Sequence, residues 1–186
     1  MDNGASSYRR FLEGDDLGLV EIIRDYKDGL ILYLNGYANN IYMAEEMAED
    51  VFVKLGVKRP KYDERKATFK TWLYTIGRNV AIDYLRQKHK RVEISTETIC
   101  ELVSEEYGLE LSYIWEEQKI MLHRAIRNLR TEYKQVLWLS YFEGFSNKEI
   151  AVIMKKSVRG IESLLYRARL AVKSELEKEG FEYEEL

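Results

Sequence analysis

Two stretches of this chain carry side chains suited to chemistry on a polyanion. The first is F-K-T-W-L-Y-T-I-G-R-N-V-A-I-D-Y-L-R-Q-K-H-K-R, Phe69 to Arg91, where Lys70, Arg78, Arg86, Lys88, Lys90 and Arg91 accompany Trp72, Tyr74 and Tyr84. Cations track a phosphate backbone, and an aromatic face stacks an unpaired base for about 1–3 kcal/mol. That combination suits single-stranded or melted DNA better than duplex. Phe69 and Trp72 read as core; Tyr62, in the polar break just upstream, is the better base contact. The second stretch runs from Ser146 to Lys173. Ser146-Asn147-Lys148-Glu149 is a capping box, Met154-Lys155-Lys156 a tight turn, and Ser157 a cap for the next helix. This is helix-turn-helix grammar, in which the second helix enters the major groove. Arg159, Glu162, Ser163, Tyr166, Arg167 and Arg169 fall outside that helix's apolar set and can meet phosphates or base edges. A helical hairpin with a solvated charged face is the plainer alternative.

Other chemistries lack their residues. His89 and His123 lie far apart, and the carboxylates of Glu45, Glu46, Glu49 and Asp50 have neither a histidine nor metal-type spacing. The sequence contains no Gly-rich phosphate loop, no Ser/His/Asp set and no Cys/His cluster, so neither an enzyme nor a cofactor or metal is expected. The lone Cys100 fits a reducing cytoplasm. No apolar run reaches the length of a membrane span, and the start M-D-N-G-A-S-S-Y-R-R lacks a signal-peptide core, so a cytoplasmic protein without membrane insertion is expected.

The elements that must position these groups read as helices. Of 186 residues 46% are hydrophobic and 33% charged, and one proline leaves little for the turns of a β-rich fold. Asp15 and Asp16 precede the apolar set Leu17, Val20, Ile23, which drifts on to Tyr37 before Asn39-Asn40 break the pattern. A second helix places Met43, Met47, Val51 and Leu55 on one face and the acidic residues on the other. Thr131 begins another helix, which stops at Gly144; Ile161, Leu165, Ala168 and Val172 are the apolar set of the last. The net charge of −3 hides segregation. Residues 65–91 hold eight basic groups against Asp83 alone, and residues 92–117 hold eight Glu and no Lys or Arg. Residues 118–174 are basic again. The expected fold is all-α: two small helical domains, 1–91 and 118–186, the second a helix-turn-helix, joined by an acidic linker at 92–117.

The order of parts resembles a known family. A-E-E-M-A-E-D-V-F, then Y-D-E-R-K-A-T-F, then T-W-L-Y-T-I-G-R-N-V-A-I-D-Y-L-R resembles the promoter −10 domain of extracytoplasmic-function (ECF) sigma factors. L-R-T-E-Y-K-Q-V-L-W-L-S-Y-F-E-G-F-S-N-K-E-I-A with S-V-R-G-I-E-S-L-L-Y-R-A-R resembles their −35 domain. The resemblance implies a sigma subunit whose partners are core RNA polymerase, promoter DNA and, for many members, an anti-sigma factor. It implies that Glu46, Glu49 and Asp50 dock on the polymerase clamp helices. It further implies that the Tyr62–Thr68 loop captures a flipped −10 base, with Tyr62, Asp63, Arg65, Lys66, Lys70, Arg78, Asn79, Arg86 and Lys88 toward the opened strand. The Ser157–Lys173 helix would read the −35 duplex.

Some positions depart from the family pattern. Lys155 stands where Gly often adopts a left-handed turn, and Gly160 weakens the start of the recognition helix. Glu162 and Leu164 stand where Lys and Arg are common; Leu164 either touches a thymine methyl or extends the apolar face. Leu129-Arg130 replaces a frequent Leu-Pro, with Thr131 available to cap. Two other readings remain: a helix-turn-helix regulator of duplex DNA that needs no polymerase, and a helical adaptor that binds only proteins.

Overall fold

The computed structural model describes residues 3–94, 122 and 124–178, and every regular element among them is helical. The linker from residue 95, the spacing read at Tyr113, Ile114 and Met121, Cys100 and His123 lie outside the described residues. So do the side chains of Lys88, His89, Lys90 and Arg91.

Helix α1, Asn3–Leu12, was not legible from apolar spacing. It is anchored by Tyr8 and Phe11, both buried. Helix α2, Leu17–Ala38, lies so close to it that a Cβ on Gly18 would sit 2.2 Å from the Ser7 carbonyl. This packing fixes which face of α2 turns inward: Gly18 and Ile22 are buried, while Leu17 and Val20, expected in the core, are 65% and 59% exposed. Asn39 ends α2 in the left-handed region, and the Asn40 side chain accepts from the Met43 N–H to cap α3, Ile41–Val53. Ala44, Met47, Ala48 and Val51 pack inward from α3, and Glu46, Glu49 and Asp50 face solvent. A π-helical turn, Lys54–Lys58, leads to Arg59 and Pro60. Helix α4, Phe69–Ile94, crosses this bundle with Phe69, Leu73, Tyr74, Val80 and Ala81 buried, and continues three residues past the expected domain end.

The C-terminal part contains residues 124–128, which are helical, then α5, Thr131–Leu137, running on into a π-helical turn, Trp138–Phe142. Thr131 does not cap α5; Arg130 occupies that position and makes no side-chain cap bond. Helix α6, Asn147–Met154, has the expected capping box, with the Ser146 hydroxyl and the Glu149 carboxylate each accepting the other residue's backbone N–H. Lys155 follows with φ 54°, the left-handed conformation expected of that turn. Helix α7, Val158–Lys178, begins where the Ser157 hydroxyl accepts from the Gly160 N–H. It buries Ile161, Leu164, Leu165 and Ala168, so Leu164 extends the apolar face.

The two parts share one hydrophobic core. Helix α6 packs on α4 and α5 on α2, and the Tyr74 and Phe145 rings meet edge-on at 5.1 Å across the junction.

Candidate nucleic-acid interface

The segment between the π-turn and α4 is tied at both ends. The Tyr8 hydroxyl donates to the Pro60 carbonyl at 2.7 Å, and burial pushes the phenol up to about 12 despite nearby Arg59. Arg59 itself, at φ 42°, lies 4.7 Å from the Phe11 ring centre. Asp63 then closes a tight turn: its carboxylate accepts from the Arg65 guanidinium at 3.0 Å and from the Arg65 N–H at 3.1 Å, and its carbonyl from the Lys66 N–H. Those bonds hold the Asp63 carboxyl below its usual range. Tyr62 is half-buried. Its hydroxyl donates to the Ala67 carbonyl at 3.0 Å, and its ring packs on Phe69 and Trp72, with centroids 5.6 and 5.2 Å away.

A cleft of about 330 Å³ opens between α1 and this loop, lined by Ala5, Tyr8, Arg9, Leu12, Lys61, Tyr62, Asp63, Glu64 and Arg65. That is the low end of the volume range of small-ligand clefts, about 300–1,000 Å³. Arg9 reaches across its rim to Glu64 at 3.3 Å. The cleft places Tyr62, Asp63 and Arg65 together. Lys66 is exposed on the same loop. Sequence reasoning missed Tyr8 and Arg9, because a short helix with two buried aromatics gives no clear period.

Along α4 the expected strand-holding residues divide. Arg86 is exposed, paired with Asp83 at 3.3 Å on its own helix. Arg78 stands close enough to Tyr33 and Tyr37 for its charge to oppose the upward shift that burial gives both phenols. Lys70 and Asn79 are engaged by the C-terminal part. The Lys70 ammonium lies 2.8 Å from the Glu143 carboxylate and donates to the Glu143 carbonyl, also at 2.8 Å, with the Phe145 ring centre 4.8 Å away. Asn79 Oδ1 accepts from Lys155 Nζ at 3.1 Å.

Glu143 is the pivot of this contact, and nothing in the sequence pattern singled it out. Its side chain is 11% exposed, and a buried carboxylate persists only when paired and hydrogen-bonded. Besides Lys70 it receives the Trp138 indole N–H at 3.2 Å and the Tyr74 hydroxyl, whose pKa rises steeply through burial and this neighbouring charge. Space for it comes from α2: a Cβ on Gly29 would fall 2.6 Å from Glu143 Oε1. Nearby, Glu149 Oε1 accepts from the Thr71 and Thr68 hydroxyls at 3.2 and 3.4 Å. Burial alone would raise the Glu149 carboxyl, but the bonds from Ser146, Thr71 and Thr68 outweigh it and hold the group below its usual range. A further cross-contact joins Lys134 of α5 to Asn39 at the end of α2, 2.7 Å apart.

Helix α7 presents the opposite case. Arg159, Glu162, Ser163, Tyr166, Arg167 and Arg169 are all exposed, as expected. Arg167 and Arg169 bond only to carbonyls of their own helix, at 3.3 and 3.4 Å. The acidic triad on α3 is likewise exposed. Among the described residues there is no group of acidic, His or Cys side chains placed to hold a metal, and no helix is long and apolar enough to cross a membrane.

Two family models match the chain in order: sigma-70 region 2 over residues 22–91 and sigma-70 region 4 over residues 119–172, together about two thirds of its length. The ECF RNA polymerase sigma factor SigM of Bacillus subtilis is 29% identical over 154 residues, covering 83% of this chain and 92% of SigM. The RNA polymerase sigma-H factor of Pseudomonas aeruginosa is 25% identical over 176 residues, 90% of this chain and 91% of that protein. The fold is similar to that of the sigma factor RpoE of Bartonella quintana, solved with the anti-sigma factor NepR. There the TM-score is 0.70 at 21% identity, over 84% of this chain and 95% of that one. It is also similar to CnrH, solved with the cytosolic domain of CnrY, with TM-score 0.62 at 19% identity over 95% and 96%.

Proposed function

Because the chain belongs to the sigma-70 family, in its extracytoplasmic-function class, we propose that it is a non-catalytic promoter-specificity subunit of RNA polymerase. The supporting observation is the pairing, in one chain, of an open basic helix-turn-helix with an aromatic, basic α4 that begins beside a cleft. In this reading α7 enters the major groove of the −35 element, with Arg159, Ser163, Tyr166 and Arg167 toward bases and phosphates. The Tyr62–Lys66 loop takes a −10 base turned out of its stack, and Asn79 with Lys70, Arg78, Arg86 and Lys88 holds the opened strand. Unstacking costs a few kcal/mol, offset by aromatic contact and backbone charge. Glu46, Glu49 and Asp50 on the exposed face of α3 dock on core polymerase. An anti-sigma factor is a further proposed partner, since a structural neighbour was solved with one.

The test is transcription by purified core polymerase from the same organism on a promoter library. Initiation at discrete sites only when the protein is added is the expected result. Tight, salt-sensitive duplex binding with no directed initiation would instead favour the regulator that acts without polymerase, which the open face of α7 also suits.

A further inference from the structure

Helix α1 forms one wall of the cleft beside the Tyr62–Lys66 loop. Ala5, Tyr8, Arg9 and Leu12 line it, spaced to share a single helical face. This wall is fixed in place. Gly4 seats α1 on α4, where a Cβ would fall 2.4 Å from the Phe69 ring, and Gly18 lets α2 pack behind it. Tyr8 is buried, with its ring 5.2 Å from Trp72 and its hydroxyl bonded to the Pro60 carbonyl. From the loop side Tyr62 approaches Trp72 equally closely, at 5.2 Å, so one aromatic cluster joins the two walls.

At the mouth the chemistry changes, for Arg9, Lys61 and Arg65 are exposed there. Aromatic walls with a cationic rim suit a nucleotide, base inside and phosphate outside. The arginines are not equally placed. Arg65 is bound twice to the Asp63 carboxylate on its own loop, at 3.0 and 3.2 Å. Arg9 stands on the rigid helix opposite and meets Glu64 at 3.3 Å, with the two side chains 64% and 65% exposed. Pairs as exposed as this contribute little to stability, so a phosphate can take the place of Glu64 at small cost. We propose that Arg9 is a strand-contacting residue: its guanidinium binds the phosphate of the captured nucleotide, and Glu64 holds it at the mouth until that phosphate arrives.

This inference rests on the reading of the Tyr62–Lys66 loop as a base-capture site, and its test keeps the two apart. Core polymerase assembled with the full chain is bound to a promoter from the library whose −10 segment is premelted, and affinity is measured across a salt series. Arg9→Ala should weaken binding on the order of tenfold, the size of one charge-assisted hydrogen bond. It should also make the salt slope shallower by about 0.7, the share of one phosphate on a single strand. Glu64→Gln should tighten binding, and should lose that effect when combined with Arg9→Ala. A mere brace between α1 and the loop would make both single substitutions act alike. Weakening by both, or parental affinity and slope in Arg9→Ala while Tyr62→Ala is impaired, would overturn the role of Arg9. Parental binding by both Arg9→Ala and Tyr62→Ala would overturn the base-capture reading itself. Binding of free deoxyadenosine monophosphate that Arg9→Ala abolishes, with strand binding unchanged, would give the cleft to a free nucleotide and overturn the strand contact.

Discussion

Helices α4 and α7 carry similar chemistry in opposite circumstances. Both display arginines or lysines beside tyrosines on a long helix. On α7 the proposed recognition side chains stand in solvent, and among the described residues Arg167 and Arg169 bond to carbonyls of their own helix. On α4, Lys70 and Asn79 already have partners from the other domain, and Tyr62 is packed against Phe69 and Trp72. A surface that reads intact duplex can be preformed, since B-DNA offers its base edges without distortion. A surface for an opened strand has no ligand until the duplex melts, and on α4 two residues of the proposed strand-holding set are engaged by the C-terminal part.

The largest way to break this contrast is Phe145→Ala. Phe145 is buried against Tyr74 at the junction, and its loss should cost about 3–5 kcal/mol in denaturant unfolding. Binding of a −35 duplex should nonetheless survive where the variant is folded; its collapse would show that the two surfaces are not separable. Tyr62→Ala should weaken open-complex formation by about 1–3 kcal/mol while sparing core-polymerase binding. The same pattern is expected for Asn79→Ala, and equal loss of core binding would make both residues structural. Arg167→Ala should reduce affinity for −35 duplex roughly tenfold, and unchanged activity on a −35-dependent promoter would remove it from that interface.

The smallest effect is that of acid. Glu149 has a lowered pKa when folded, so its contribution is present above the ordinary glutamate value and is lost as pH falls through the lowered one. Acid below the ordinary glutamate range should therefore weaken the contact of Glu149 with Thr68 and Thr71 at the start of α4, seen as a fall in stability to denaturant. Glu149→Gln should flatten that pH profile.

Features that depend on neighbours in sequence were legible. The Ser146–Glu149 box, the left-handed Lys155 and the Asn39-Asn40 break all act within four residues, and the structure has each as expected. The inward set of α7 followed from its period, and burial of Leu164 decided between two roles. What failed to show was long-range. Leu17 and Val20 fit a helical period, yet α1 packs on the adjacent face of α2 and leaves them outside. Glu143 is a single acid after an aromatic run, and its importance comes from Lys70, Tyr74 and Gly29, which lie far away in the chain. The strand-holding set was chosen by charge and aromaticity, and neither property tells which members are already occupied.

The bare backbone at Gly29 has a genetic consequence. A methyl group there would fall 2.6 Å from the Glu143 carboxylate and 2.7 Å from the hydroxyl of Tyr74, whose ring is fully buried, so it strains the junction although alanine in mid-helix favours α2 itself. Gly29→Ala is thus a wedge at the junction where α2, α4 and Glu143 meet. A screen for alleles that alter promoter use should recover changes at this position, one side chain removed from Lys70. Such a screen returning only substitutions on α7 would deny Gly29 that part.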